Sequence, residues 1–158
     1  MSNHGRARIA LLILFASVAF TARAEELRPA MERANAEFLE AFNRPNPAGF
    51  AALYTPDAVL LFGGLPPKTG PEAITQFWES QIKAGVRDHT YEILEAWVDG
   101  KYAFQLAKAG VQVVTPTGEK MPSSGYTVRI FERQSDGAWK VKIHMFNRQG
   151  GPQMSGVK

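Results

Sequence analysis

Histidine and tyrosine are the residue types in this chain best suited to moving or donating a proton. Of 158 residues, three are histidine and none is cysteine. Outside the extreme N-terminus this leaves His89 and His144. An imidazole titrates near neutral pH and can act as general acid or base. His144 sits in Ile143-His144-Met145-Phe146-Asn147. Strict strand alternation groups it with Lys140 and Lys142 on a rim, whereas a β-bulge would turn it into a pocket. Tyr126 shares one strand face with Val128 and Ile130. There it serves either as a core residue bonded to backbone or as a hydrogen-bond donor to a ligand carbonyl. Gln105, between Phe104 and Leu106, belongs either to the same cavity wall or to a solvated edge. Phe38, Phe62, Phe77, Trp78 and Trp97 supply aromatic area for a core or for the lining of an apolar pocket. Asp57 follows Thr55-Pro56, where a short carboxylate caps local backbone.

Other chemistries are excluded by residue type. Without cysteine there is no thiolate nucleophile, disulfide, Cys-based zinc site or lipidation at a cleavage site. Two histidines 55 positions apart, with no acidic partners at ligand spacing, do not form a metal signature. Gly63-Gly64 lacks the Lys-Ser/Thr of a phosphate loop, and no Ser-His-Asp order occurs. The expectation is no metal and no cofactor. The formal charge of +3 resides in Arg6, Arg8 and Arg23; the rest of the chain has 15 basic against 15 acidic residues. A nucleic-acid partner needs a cationic footprint that this balance does not provide.

The N-terminus reads as a targeting segment. Positive residues 1–8 precede the uncharged run Ile9 to Phe20, and Ala22-Arg23-Ala24 places small residues where a signal peptidase cuts. The run has 12 residues, too short for a bilayer span of roughly 20. Cleavage after Ala24 and a periplasmic or secreted protein are expected. The organisation is a signal peptide over 1–24, one domain over 25–150 and a flexible tail over 151–158.

Within the domain, Met31, Ala34, Phe38, Ala41 and Phe42 recur at helical spacing until Pro45 and Pro47 interrupt. Asn46-Pro47 opens a short helix through Phe50, Leu53 and Tyr54, ended by Thr55-Pro56-Asp57. Ala58 to Phe62 is a brief run of strand length, followed by a loop at Gly63 to Pro67. Gly70-Pro71-Glu72 starts a third helix with a stripe of Ile74, Phe77, Trp78 and Ile82, closed by Gly85. Four strands follow, over 89–98, 102–114, 125–132 and 139–146, with hairpin signals at Asp99-Gly100 and Asp136-Gly137 and a loop from Pro116 to Ser124. Helices gathered first and strands last describe an α+β domain, three N-terminal helices packed on a curved antiparallel sheet.

Ala52-Leu53-Tyr54-Thr55-Pro56-Asp57-Ala58-Val59, Thr69-Gly70-Pro71-Glu72-Ala73-Ile74 and Asp136-Gly137-Ala138-Trp139-Lys140-Val141, in this order and spacing, resemble the cone-shaped fold of nuclear transport factor 2, ketosteroid isomerase, scytalone dehydratase and the SnoaL-like cyclases. The resemblance covers about residues 28 to 148. Laid on ketosteroid isomerase, the carboxylate base position falls on Phe62, the tyrosine position on Phe38 and the aspartic acid position on Tyr126. Two of these three roles lose their polar group, so the resemblance implies no steroid isomerisation. In the other enzymes His and Asp groups occupy the cavity, where only His89 and His144 are available.

The leading expectation is an exported small-molecule-binding domain with a mostly apolar cavity for a small apolar or partly polar organic ligand, lined by Phe38, Phe62, Trp78 and Gln105. The alternatives are an isomerase, cyclase or dehydratase with His144 as acid/base and Tyr126 as donor, and a non-catalytic dimerisation or accessory module. A homodimer is expected through the open sheet face. Alternation places Thr127, Arg129 and Phe131 there, together with the side of the last strand set by Lys140 and Lys142 and ending in Phe146.

Overall fold

The computed structural model describes residues 27–44 and 46–149. The signal-peptide and tail segments, and the domain limits at 25 and 150, lie outside these residues. Helix α1 covers 27–43, α2 Pro47–Ala52 and α3 Gly70–Lys83. The strands are β1 Tyr54–Phe62, β2 Lys68–Thr69, β3 Val86–Asp99, β4 Tyr102–Val114, β5 Lys120–Arg133 and β6 Trp139–Arg148. They form one sheet in the order β2-β1-β6-β5-β4-β3.

Two expectations change here. The sheet is mixed, because β1 runs parallel to β6 while the other pairs are antiparallel. The sheet also has six strands, the four late ones being joined by β1, longer than the expected run from Ala58 to Phe62, and by the unforeseen two-residue β2. Leu53 and Tyr54 do not extend α2. The Leu53 carbonyl accepts the Val141 N–H at 2.8 Å, and Tyr54 pairs with Val141, so the sheet captures the chain where local propensity favoured another helical turn. Pro47 occupies the first turn of α2 as its fixed φ allows, although the Asn46 side chain makes no cap bond.

The helices are held by one apolar stripe each. On α1 this is Leu27, Met31, Phe38, Ala41 and Phe42, with Asn35 buried among them; on α3 it is Ile74, Phe77 and Trp78. Burying such side chains contributes about 1.5–3 kcal/mol each. They pack on the concave face of the sheet with Phe50, Tyr54, Leu60, Phe131 and Val141. Gly85 terminates α3 at φ 95°, where a Cβ would collide with the Val114 carbonyl oxygen.

β5 begins five residues earlier than the Gly125 expected for it, replacing most of the anticipated loop from Pro116 to Ser124. Thr115 to Glu119 makes the turn, through Thr115 N–H to Glu119 O and Gly118 N–H to Thr115 O, both at 2.9 Å. Pro122 is tolerated opposite Gln112 because the pairing of β6 to β5 runs from Gly125 onward, which leaves an edge at Pro122 that needs no donor.

Irregular pairing decides which side chains face inward. Register shifts occur in β3 between Arg87 and Thr90, where Asp88 takes φ 51°, and in the β5–β6 pair between Ile130 and Phe131. Ile130 opposes Ile143 while Phe131 opposes Val141, so Lys142 is the extra residue. One added residue reverses the alternation beyond it, as a bulge does. Val141 and His144 therefore face the same side, so of the two positions considered for His144 the interior one, reached through a bulge, is the one the pairing gives.

Candidate functional site

The interior behind the helices is built on the inward residues of four strands: Tyr54 and Leu60 on β1, Gln105 on β4, Arg129 on β5 and His144 on β6. Arg129 lies opposite both Gln105 and His144 in the register. The three polar side chains thus form a row across the sheet, over which Phe38 and Trp78 are laid by the helices. Phe38 meets the His144 ring at 6.0 Å and Trp78 meets it at 5.5 Å.

A chain of hydrogen bonds runs from helix to sheet. The Trp78 Nε1–H donates to the Tyr54 hydroxyl at 3.0 Å, and that hydroxyl stands 3.0 Å from His144 Nδ1. Tryptophan only donates, so the Tyr54 oxygen accepts from it, and which of the hydroxyl and Nδ1 donates in the second bond follows the imidazole tautomer. Desolvation holds the Tyr54 hydroxyl well above its ordinary pKa, with a smaller contribution from Tyr91, so it stays protonated. Desolvation, and then the charges of Arg129 and His89, hold His144 well below its ordinary value. A neutral imidazole that accepts at Nδ1 carries its proton on Nε2. In that tautomer His144 offers a donor to the interior rather than a free base.

Arg129 is 1% exposed, and the hydrogen bonds of its side chain go from Nε at 3.1 Å and Nη2 at 2.5 Å to Gln105 Oε1. The guanidinium carbon lies 4.5 Å from the Tyr91 ring centre and 5.3 Å from that of Phe131. Among the described residues its neighbours include no carboxylate ion pair. Burial lowers its pKa, yet an arginine remains charged in a protein. Cation–π contact offsets part of the cost of burying that charge. Gln105 spends its carbonyl on the cation, leaving Nε2 buried without a partner, and His89 Nδ1 is in the same state. His89, packed against Phe38, Phe42 and Tyr91, has its pKa depressed to about 4 by desolvation and by Arg129. Burial pushes the Tyr91 hydroxyl up to about 12.

A cavity of about 40 Å³ opens beside this row, lined by Phe62, Trp78, His89, Tyr91, Val113 and His144 among others. At roughly 10–15 Å³ per water it has room for about three waters or a group of a few heavy atoms.

Of the expected site residues His144, Phe62 and Trp78 line the cavity, whereas Phe38 packs on Trp78 and His144 and Gln105 bonds Arg129 without either lining it, and Tyr126 is separated from all of them. Tyr126 is 43% exposed, because the inward residues of β5 are Gly125, Thr127, Arg129 and Phe131. Its expected role beside His144 is corrected accordingly, and so is its placement at the isomerase's aspartic acid position within the cavity. Trp97 also lies outside, stacked on Phe104 at 5.2 Å. Thr127, Arg129 and Phe131 were expected on the outer face and are buried, while Phe146 lines the cavity. Asp57 accepts from Thr55 Oγ1 at 2.9 Å and from Lys142 Nζ at 2.6 Å, a local structural role. Sequence reasoning overlooked Tyr54 and Arg129. The signal for Arg129 was a cation in the middle of a strand, with apolar or small neighbours on both faces. Among the described residues no cluster of three ligand-type side chains could hold a metal, and no helix is long and apolar enough to cross a membrane.

A mixed curved sheet closed by helices around a buried row of polar groups defines the class of nuclear transport factor 2-like α+β cones. Residues 36–141 match the SnoaL-like domain, and the chain belongs to that family. Its fold is similar to a ketosteroid isomerase-like protein from Erwinia carotovora atroseptica, at 24% identity over 78% of this chain and 96% of the other, with a TM-score of 0.68. It is also similar to a nuclear transport factor 2-like protein with a cystatin-like fold from Novosphingobium aromaticivorans, at 16% identity, 87% and 92% coverage and a TM-score of 0.72. A nuclear transport factor 2-like superfamily protein from Salmonella enterica matches at 10% identity, 85% and 99% coverage and a TM-score of 0.70. No curated protein sequence matches the chain.

Proposed function

We propose that this is an exported small-molecule-binding domain whose ligand enters the interior beside His144. The observation that carries the reading is a set of buried polar atoms with unused hydrogen-bonding capacity, Asn35 Oδ1, Thr75 Oγ1, His89 Nδ1 and Gln105 Nε2, of whose residues His89 lines the cavity. Buried polar groups normally find partners, so an orphaned set calls for one. A volume of about 40 Å³ limits the ligand to a few heavy atoms or to the head of a larger molecule, since drug-sized ligands occupy roughly 300–1,000 Å³. The outer sheet face, with Trp97, Tyr126, Val128 and Met145 exposed, supports a homodimer.

Proton-transfer catalysis with Tyr126 as donor loses support from its position on the opposite face. In its place, the enzymatic alternative rests on Tyr54 and His144, a hydrogen-bonded pair of which His144 lines the cavity. Native mass spectrometry of protein purified from its own source, followed by mass analysis of the extract, tests the binding reading. A stoichiometric small molecule released on denaturation is the expected result. Ligand-free protein that also leaves every member of a fragment library unbound by NMR would refute it.

A further inference from the structure

The cavity has a direction, and strand pairing sets it. His144, Phe146 and Arg148 alternate along β6 and so share its inner face, and all three line the cavity. Four residues of strand separate the first from the last, about 13 Å at roughly 3.3 Å per residue. His144 is buried and Arg148 is exposed, so the closed end lies at His144 and the mouth at Arg148. Trp78 and Ala109 are buried as well, whereas Gln81 and Ser123 are half-buried. Ser123 stands two residues beyond Gly125, which is the partner of Arg148. Gly125 lacks the Cβ that would collide with the Phe146 ring, and this leaves the ring its place in the wall.

Charge along this axis has one sign. Among the described residues that line the cavity none is acidic, and Arg148 alone carries a permanent charge. Its guanidinium enters no ion pair among the described residues. The Gln149 N–H, donating to the Ser124 carbonyl at 2.8 Å, holds the end of β6 on β5 beside it. Deeper in, His89 and His144 stay neutral through desolvation and then through the charge of Arg129. Between the two ends the wall is apolar at Phe62, Trp78, Val113 and Phe146.

We propose that the cavity takes a short-chain carboxylic acid tail-first, its apolar chain lying between Phe62, Trp78 and Phe146 and its carboxylate held at the mouth by Arg148. This rests on the reading that the cavity takes a ligand, and it adds that ligand's charge and orientation. A carboxylate is the anion that the fork of an arginine meets with two parallel hydrogen bonds. At the mouth it keeps part of its hydration and avoids the cost of burying a charge. A volume of about 40 Å³, room for a few waters, accepts a chain of a few carbons.

The test is an NMR titration of the ¹⁵N-labelled full chain with sodium pentanoate, pentan-1-ol and butylammonium chloride, which share a butyl tail. Pentanoate is expected to bind at least about threefold tighter than pentan-1-ol, with butylammonium the weakest. Its methyl end should give nuclear Overhauser contacts to the Trp78 ring, and its binding should shift the Arg148 Nε–H. Arg148→Lys should keep the preference for the anion. Arg148→Gln should abolish it and leave the affinity for pentan-1-ol unchanged; Arg148 is exposed, so both variants retain the core. Three results overturn the proposal and leave the ligand-binding reading standing: alcohol binding as tightly as anion, a preference that survives Arg148→Gln, or methyl contacts at Arg148 in place of Trp78. Failure of all three probes to move a cavity signal also overturns it, and the native mass measurement then decides the ligand-binding reading separately.

Discussion

The Tyr54 hydroxyl stands 3.0 Å from His144 Nδ1, joining the first and last strands of the sheet across 90 residues of sequence. Because Trp78 donates to the same oxygen, this one hydroxyl also ties α3 to the sheet. The fold thereby sets which nitrogen of His144 meets the cavity.

Tyr54→Phe removes that bridge with little change in shape. It strands the Trp78 N–H and His144 Nδ1, and leaving a buried donor or acceptor unmet costs about 1–3 kcal/mol. Chemical denaturation should register this loss. Long-range ¹H–¹⁵N spectra should show a single His144 tautomer in the wild type and a mixture of tautomers in the variant. A mixture in the wild type would contradict the bridge.

Stability should fall as pH drops below the ordinary histidine range. His89 has a folded-state pKa near 4 against an ordinary 6.5. Between these values the unfolded chain binds a proton that the folded chain refuses, so stability rises with pH over this window and levels off below about 4. The groups facing His89 are Phe38, Phe42, Trp78 and Tyr91, with Arg129 adding repulsion. The full window corresponds to about 3 kcal/mol, and His144 acts in the same direction. Urea midpoints from pH 7 to pH 4 measure it. His89→Phe should flatten the profile and raise stability at pH 5, since it removes both the titration and an unpartnered nitrogen.

Much of the frame was legible because it depends on local signals. The stripe from Met31 to Phe42 and the left-handed Gly85 are each dictated by a few adjacent residues, and the Asp99-Gly100 signal marks its hairpin to within one residue, the turn being Gly100-Lys101 between the paired Asp99 and Tyr102. What escaped depends on pairing. Tyr54 was assigned to a helix because its capture by β6 is a contact with Val141, distant in sequence. For His144 alternation and a bulge led to opposite faces, and only the strand pairing reveals the extra residue at Lys142. β5 was turned the wrong way because Tyr126, Val128 and Ile130 are more apolar than Thr127 and Arg129. The more polar face is inside, where its groups bond to Gln105 and to the Met145 carbonyl. Hydrophobicity alone misreads a strand whose interior side holds a polar site and whose exterior side is itself apolar.

Export is tested by mass. A protein purified from its own source should begin at Glu25, and intact mass spectrometry of the periplasmic or culture fraction reads this directly. A chain starting at Met1 in that fraction would rule out cleavage.

Association should depend on the outer sheet face, and the two faces of β5 separate this prediction from general damage. Val128 is exposed between Leu106 and Met145, in a field that also contains Tyr126 and the Trp97–Phe104 stack. A second copy laid on this field would bury it, and the balance of 15 basic against 15 acidic residues after position 24 removes long-range repulsion between copies. Val128→Glu places a charge in that contact and leaves the core untouched. It should convert dimer to folded monomer in sedimentation at micromolar concentration, with circular dichroism unchanged. Phe131, by contrast, is 1% exposed and packs beneath the Arg129 guanidinium. Phe131→Glu would bury an unpaired charge in the core, a loss of about 4 kcal/mol or more, and should unfold the protein instead of dissociating it. Wild-type protein sedimenting as a monomer, or a dimer indifferent to Val128→Glu, would exclude this face as the interface.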